Sequence, residues 1–429
     1  MTQRTAYRAS VAHCLGDPGI APARFETFED GVIIVEEQRI LAAGPATELL
    51  PGLDARIENL SGCIIVPGFI DCHVHFPQLD IIASFGEQLM HWLERYAYPG
   101  EMRLADTEYA QELATLFVDQ LIANGTTSAL VFATVHGHSA EFLFEKALDS
   151  GLRLISGKVL MDRHAPAALM DTAESGYAAS RAMIERWQGK GRLGYAITPR
   201  FALTSSEAQL EASGRLAREF PDTWIHTHLA ENHREIDEVA AEFPWSDSYL
   251  GVYERFGLLR ERAVFAHCLH LGDEDRRHMA SAGAAAAFCP TSNLFLGSGL
   301  YDLERMVKAG VSTGLATDVG GGTTLSMLRT MGEAYKVLQL QGQVVTAGRA
   351  LYLATLGAAE ALRIDAHVGN FLPGKDADFV VLEPRATTLT RHRDAHADSL
   401  DERLFALMHM GDDRNVAATL VNGVLHRHG

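Results

Sequence analysis

The sequence predicts an α/β fold: a distorted (β/α)8 barrel of TIM type, with a small β-sandwich domain formed by the N- and C-terminal segments. Three observations carry this. Eight short apolar runs alternate with amphipathic stretches between residues 64 and 316, which is the pattern of strands each followed by a helix. Strand-like alternation precedes and follows that region. The length, 429 residues, suits a barrel of roughly 250–350 residues with an attached domain.

Residues 1–66 are read as the first part of the small domain. The stretch 6–13 alternates, Asp30-Gly31 precedes the apolar run 32–35, and 38–43 can pair back on it. Gly-Pro at 44–45 and Pro-Gly at 51–52 punctuate the segment. The barrel is assigned to 67–367. Its strands are expected at 64–70, 127–133, 152–160, 193–197, 224–228, 263–267, 284–288 and 311–316. Helices are expected at 106–124, 140–150, 205–220 and 302–309, several behind Ser or Asp caps, with two more near 325–338 and 346–362. Residues 368–429 complete the small domain, with strands at 378–382 and 418–421. No internal repeat or low-complexity tract is present.

Composition narrows the function. Hydrophobic residues make up 47% and charged residues 21% of the chain, as in a soluble globular protein. A formal net charge of −18, with Lys and Arg scattered, argues against nucleic-acid and anionic-membrane partners. The five cysteines, Cys14, Cys63, Cys72, Cys268 and Cys289, form no CxxC pair, which points to a reduced, cytoplasmic setting. No apolar segment follows Met1-Thr2-Gln3, so no secretory signal is expected, and no run of 18 apolar residues predicts a membrane span.

Barrel enzymes carry their chemistry at the C-terminal ends of the strands. The first expected strand runs into His73 and His75, whose i, i+2 spacing puts both imidazoles on one face. The fifth ends in His228, with Glu231 just beyond it. The sixth ends in His267, and Asp318 follows the eighth. Nitrogen donors plus one carboxylate suit zinc or a similar divalent ion. Each residue also has a bland reading: His228 as a satisfied core histidine, Asp318 as a helix N-cap, Glu231 as a solvated charge. His226 alternates to the opposite face and is read as structural, as are His136, His138 and Lys158. The cysteines near the strand ends are read as small buried hydrophobes.

The run Pro67-Gly68-Phe69-Ile70-Asp71-Cys72-His73-Val74-His75, with His228, His267 and Asp318 on later strands and Leu372-Pro373-Gly374-Lys375-Asp376-Ala377-Asp378 near the tail, resembles the amidohydrolase superfamily over nearly the whole chain. Within it the chain is similar to the guanine deaminases. The residues that carry this are His75-Phe76-Pro77-Gln78, Trp92-Leu93-Glu94-Arg95-Tyr96, Pro199-Arg200-Phe201, His226 to Asn232, Phe288 to Leu294 and Gly314 to Gly322. The paired H-x-E and P-C-x-x-C signature of the other zinc deaminase class is absent.

The resemblance implies one divalent metal ion per subunit, Zn2+ with Fe2+ as the alternative, held by His73, His75, His228 and Asp318. It implies hydrolytic deamination of guanine to xanthine and ammonia. Asp318 would take the water's proton, Glu231 would protonate ring N3, and His267 would stabilise charge on the tetrahedral intermediate. Gln78, Arg200 and Phe201 would bind the purine, with Arg200 donating to the C6 carbonyl that adenine lacks; His228, Glu231 and Asp318 also face the substrate. A homodimer is implied as well. The competing readings are a superfamily member acting on an adenosine-like or triazine ring, and a scaffold without activity. The Gln78, Arg200 and Phe201 set separates the first, and the retention of every ligand and of Glu231 weighs against the second.

Overall fold

The computed structural model describes residues 4–86 and 88–428; the leader reading over residues 1–3 lies outside them. Residue contacts divide the chain into two compact units. One comprises Met1–Asp71, Asp119–Ser128 and Leu325–Gly429, the other Cys72–Val118 and Ala129–Thr324.

The first unit begins with strands β1 (Arg4–Cys14), β2 (Phe25–Glu36), β3 (Arg39–Pro45) and β4 (Arg56–Pro67). The barrel strands follow: β5 (Phe69–His75), β6 (Thr126–Phe132), β7 (Arg153–Gly157), β8 (Val159–Leu160), β9 (Leu193–Pro199), β10 (Trp224–Leu229), β11 (Ala263–His267), β12 (Ala285–Phe288) and β13 (Ser312–Leu315). Strands β14 (Phe379–Leu382), β15 (Val416–Val421) and β16 (Val424–Arg427) return to the first unit.

The terminal segments form one seven-stranded mixed sheet of order β16-β15-β14-β4-β1-β2-β3. The alternation read in β1 decides its faces. Tyr7, Ala9 and Val11 join Ile33, Val35, Ile65, Phe379, Val381 and Leu420 in one apolar layer. Ala6, Val32, Ile34 and Ala46 form a cluster of their own, as a period of two requires.

The second sheet runs β5-β6-β7-β9-β10-β11-β12-β13, with β8 paired to β9. The Asp318 amide donates to the His73 carbonyl at 2.9 Å and the His75 amide to the Val319 carbonyl at 2.8 Å, which brings the last segment back to the first. Strands β9 to β13 pair in parallel, and their residues are almost all buried. This is why they read as continuous apolar runs rather than alternating ones. The third strand is broken at Lys158 into β7 and β8, the local distortion of the barrel.

Three details depart from the sequence reading. The first barrel strand, expected at 64–70, is Phe69–His75; residues 64–67 end β4 and pair with β14 in the terminal sheet. The helix expected over 346–362 is two helices, Ala347–Ala354 and Leu356–Ala361, broken at Thr355 (φ −133°, ψ −93°), whose hydroxyl donates to the Leu351 carbonyl at 2.6 Å. A β-branched residue satisfying a backbone carbonyl with its own side chain is a poor helix continuer. Helices Thr388–Asp394 and Leu400–Met410 were not expected. The Ser399 hydroxyl accepts from the Glu402 amide at 3.2 Å, a local N-terminal signal that a longer periodic pattern was not there to reinforce.

Candidate active site

Strand ends deliver five of the expected side chains to one place. His73 and His75 come from β5, His228 from β10, His267 from the end of β11, and Asp318 from the loop after β13. His73 Nε2 lies 3.1 Å from His75 Nε2 and 3.1 Å from Asp318 Oδ1. His75 Nε2 lies 3.4 Å from Asp318 Oδ1 and 3.2 Å from His228 Nε2. Four donors each 2.0–2.1 Å from a tetrahedral ion stand about 3.3–3.4 Å apart, and these four distances are close to that spacing; His73, His75 and Asp318 form one group of close ligand atoms, and His73, His228 and His267 another. The residues therefore fit a divalent cation.

The outer faces of the rings support this. His228 Nδ1 lies 2.6 Å from the Arg200 carbonyl, to which it can only donate, so Nε2 is left with its lone pair facing the cluster. His73 Nδ1 is 2.7 Å from His226 Nε2, and His226 is wholly buried. His226 was read as structural from its alternation; it packs behind the cluster and orients His73, as partners behind a metal-binding histidine do. Burial pushes the His73 imidazole down, the His75 imidazole down to about 4, and the His228 imidazole well down. The rings are neutral at pH 7, the form that binds a cation. Burial alone would raise the Asp318 carboxyl, but the His73, His75 and His267 rings hold it well below the usual range.

Backbone strain gathers at the same strand ends. Ala230, His267 and Asp318 hold left-handed φ angles of 50°, 72° and 50°, each costing about 1–2 kcal/mol for a non-glycine residue. His267 and Asp318 both line one pocket. His267 is fixed further by Asn293, whose Oδ1 lies 2.9 Å from its Nδ1. Its Nε2 faces Asp318 Oδ2 at 3.6 Å and Glu231 Oε2 at 3.3 Å.

Glu231 is 2% exposed. Burial first, then the charge of Asp318, pushes its carboxyl up to about 8. Its Oε1 accepts from the Ser298 hydroxyl at 2.9 Å. Behind it, Glu235 Oε2 accepts from the Glu231 and Asn232 amides at 3.0 and 3.2 Å, and Oε1 accepts from the Tyr249 hydroxyl at 2.7 Å. Burial and the neighbouring Glu231 push Glu235 up to about 7. A buried acid that holds its proton at neutral pH, next to a group of donors for a cation, can serve as a general acid.

These side chains, His73 excepted, open on one small pocket. Gln78, Arg200 and Phe201 line it together with His75, His228, Glu231, His267 and Asp318. The expected purine-binding residues are thus brought to the same cavity as the cation donors. Leu89, Trp92 and Leu93 form part of its wall; Trp92 and Leu93 belong to a motif that was quoted for the resemblance but given no role. Glu101 was missed altogether. It pairs with Arg200 Nη1 through both oxygens, at 2.8 and 2.6 Å, and accepts from Gln78 Nε2 at 2.8 Å. No spacing in the sequence signals it. Among the bland readings, Lys158 contacts Asp171 and the Val159 carbonyl, and His138 Nε2 meets the Leu104 carbonyl at 2.7 Å; Cys289, read as a small buried hydrophobe, has its sulfur within 4.8 Å of ligand atoms of His267 and Asp318.

Comparison with known proteins follows the same line. The family model described as "Amidohydrolase family" matches residues 64–425. The guanine deaminase of Escherichia coli (strain K12) is 47% identical over 418 residues, covering 97% of this chain and 95% of that protein. A solved structure of E. coli guanine deaminase superposes with a TM-score of 0.97 at 46% identity, covering 99% of this chain and all of the other. A guanine deaminase from C. acetobutylicum, solved with guanine bound in its active site, superposes with a TM-score of 0.89 at 26% identity over 99% of this chain and 100% of that one.

Proposed function

The chain belongs to the amidohydrolase family, and from that premise we propose that it deaminates guanine hydrolytically, releasing xanthine and ammonia, with His73, His75, His228 and Asp318 holding one divalent ion, zinc, per subunit. The observation that carries the reading is that His75, His228 and Asp318 line one pocket with the buried Glu231 and the donor-bearing Arg200, while His73 Nε2 lies 3.1 Å from both His75 Nε2 and Asp318 Oδ1. When bound, zinc lowers the pKa of a water to about 7 and so supplies a nucleophile at neutral pH.

The chain's own groups do the rest. Asp318 Oδ2 accepts the proton released as the water oxygen bonds to C2. Glu231 donates its proton to N3 as C2 becomes tetrahedral; its carboxylate then takes the proton of the hydroxyl on C2 and passes it to the amino group, the C–N bond breaks to release ammonia as the C2 carbonyl forms, and the proton held by Asp318 returns to Glu231. His267, aimed between Glu231 and Asp318, stabilises charge on the added oxygen. Arg200 has only N–H donors and so suits the C6 carbonyl, while Gln78 offers both a donor and an acceptor. Phe201 supplies apolar contact. Purine breakdown in the cytoplasm by a homodimer accompanies this reading; no helix among the described residues is long and apolar enough to cross a membrane.

Incubating the purified protein with guanine and following the ultraviolet spectrum tests the proposal. Conversion to xanthine with one equivalent of ammonia is expected. A protein loaded with metal that leaves guanine unchanged while hydrolysing another ring would contradict it.

A further inference from the structure

Glu101 lies in the helix Tyr98–Met102 and is 1% exposed. Its Oε1 accepts from Gln78 Nε2 at 2.8 Å, and both of its oxygens accept from Arg200 Nη1, at 2.8 and 2.6 Å. At the other end of the same amide, Gln78 Oε1 accepts from the Gly320 amide at 3.1 Å. Both partners of Gln78 act in one direction only. A carboxylate held against a guanidinium accepts, and a backbone N–H donates. The side of Gln78 facing Glu101 must therefore be the NH2 group, and the side facing Gly320 must be the carbonyl. The flipped amide would set oxygen against carboxylate and N–H against N–H, at a residue only 2% exposed, where unmade hydrogen bonds are most costly. The same carboxylate anchors and neutralises Arg200, itself 2% exposed.

We infer that Glu101 is a specificity-determining positioning residue: by fixing the Gln78 amide and the Arg200 guanidinium, it makes the pocket present N–H donors that select a purine with oxygen, rather than an amino group, at C6. This deepens the guanine reading and rests on it. A ring carbonyl satisfies such fixed donors. An amino group at C6 leaves them unpaired, and a site built in this way discriminates by large factors. Glutamine at position 101 offers a donor as well as an acceptor in the same space. The Gln78 amide is then no longer held to one orientation at that end, and Arg200 loses its counter-charge.

The test uses the metal-loaded protein and calorimetric dissociation constants for hypoxanthine and adenine, which differ from each other at C6, together with guanine turnover by the unaltered protein. In Glu101→Gln the preference for hypoxanthine over adenine falls by about tenfold or more, with metal content unchanged and mainly KM raised for guanine. Gln78→Met leaves the Arg200–Glu101 pair in place and serves if Glu101→Gln does not fold; it too should collapse the preference, and adding Glu101→Gln to it should reduce the preference by less than in the unaltered background. Retention of the full preference in a folded Glu101→Gln, or in Gln78→Met, overturns the inference while leaving guanine deamination standing. Failure of the unaltered protein to turn over guanine removes both.

Discussion

The Ser298 hydroxyl donates to Oε1 of Glu231 across 2.9 Å, joining the segment after β10 to the loop after the helix Pro290–Phe295. This bond occupies one carboxyl oxygen and leaves Oε2 facing His267 at 3.3 Å. Glu231→Gln keeps the donor set and the shape of the site but has no proton of the needed acidity, so turnover should fall by about 10²–10⁴ with metal content unchanged. Ser298→Ala removes only the orientation, and its loss should be smaller, about tenfold, and confined to kcat. Near-normal turnover in Glu231→Gln, measured with metal content on the same sample, would remove Glu231 from the acid role.

Arg200 and Glu101 form a buried ion pair, the side chains 3% and 1% exposed. Arg200→Ala strands the carboxylate, and breaking such a pair typically costs about 3–5 kcal/mol. The expected result is a lowered melting temperature and a guanine kcat/KM that falls far more than bound metal does. Equal loss of metal and activity would assign Arg200 a purely structural part.

The four-donor cluster predicts a response to chelation. Stripping the metal should abolish guanine turnover and lower the melting temperature, since an ion that binds only the folded protein stabilises it by mass action. Zinc added back should restore both. A single His228→Ala change should reduce bound metal, measured by elemental analysis. Full activity after verified removal of the metal would exclude a metal-dependent reaction.

An acid-sensitive contact lies within the first unit. His13 is 3% exposed. Its Nδ1 accepts from the Phe371 amide at 3.4 Å, and Nε2 faces Glu26 at 3.2 Å. A proton on Nδ1 would confront the Phe371 N–H, so the contact with Glu26 is that of a neutral ring. Burial first, then Lys375, lowers its pKa from 6.5 to about 4. A histidine with a depressed folded-state pKa contributes full stability above its unfolded pKa and loses it as the pH falls from about 6.5 through 4, by about 3 kcal/mol at most. His13→Gln should flatten the acid side of the pH–stability curve over that window. An unchanged acid limb, read by denaturant melts at pH 4 to 7, would acquit His13.

The gathering of His73, His75, His228, His267 and Asp318 was legible because each ends a barrel strand or follows one closely, and strand ends of a barrel meet by construction. Arg200 and Phe201 follow β9 for the same reason. What the sequence did not reveal arrives on other elements. Glu101 comes from a short helix, Asn293 and Ser298 from a helix and the loop beyond it, and Glu235 from the helix His233–Glu242. None has a spacing that marks it, because its partner is set by packing between elements rather than by periodicity. The partner of His226, read as structural, was hidden for a related reason. The alternation that turns it away from His228 also brings it to the back of His73, a relationship between strands that no single strand records.

A metal held by the cluster ending in Asp318 and guanine deamination at that site are tested together. The most direct test is elemental analysis of the purified protein combined with ultraviolet monitoring of guanine on the same sample. The expected result is about one equivalent of a divalent metal per subunit, stoichiometric xanthine and ammonia, and turnover that scales with metal content across partly stripped preparations. Guanine left unchanged by protein carrying its full complement of metal would contradict it.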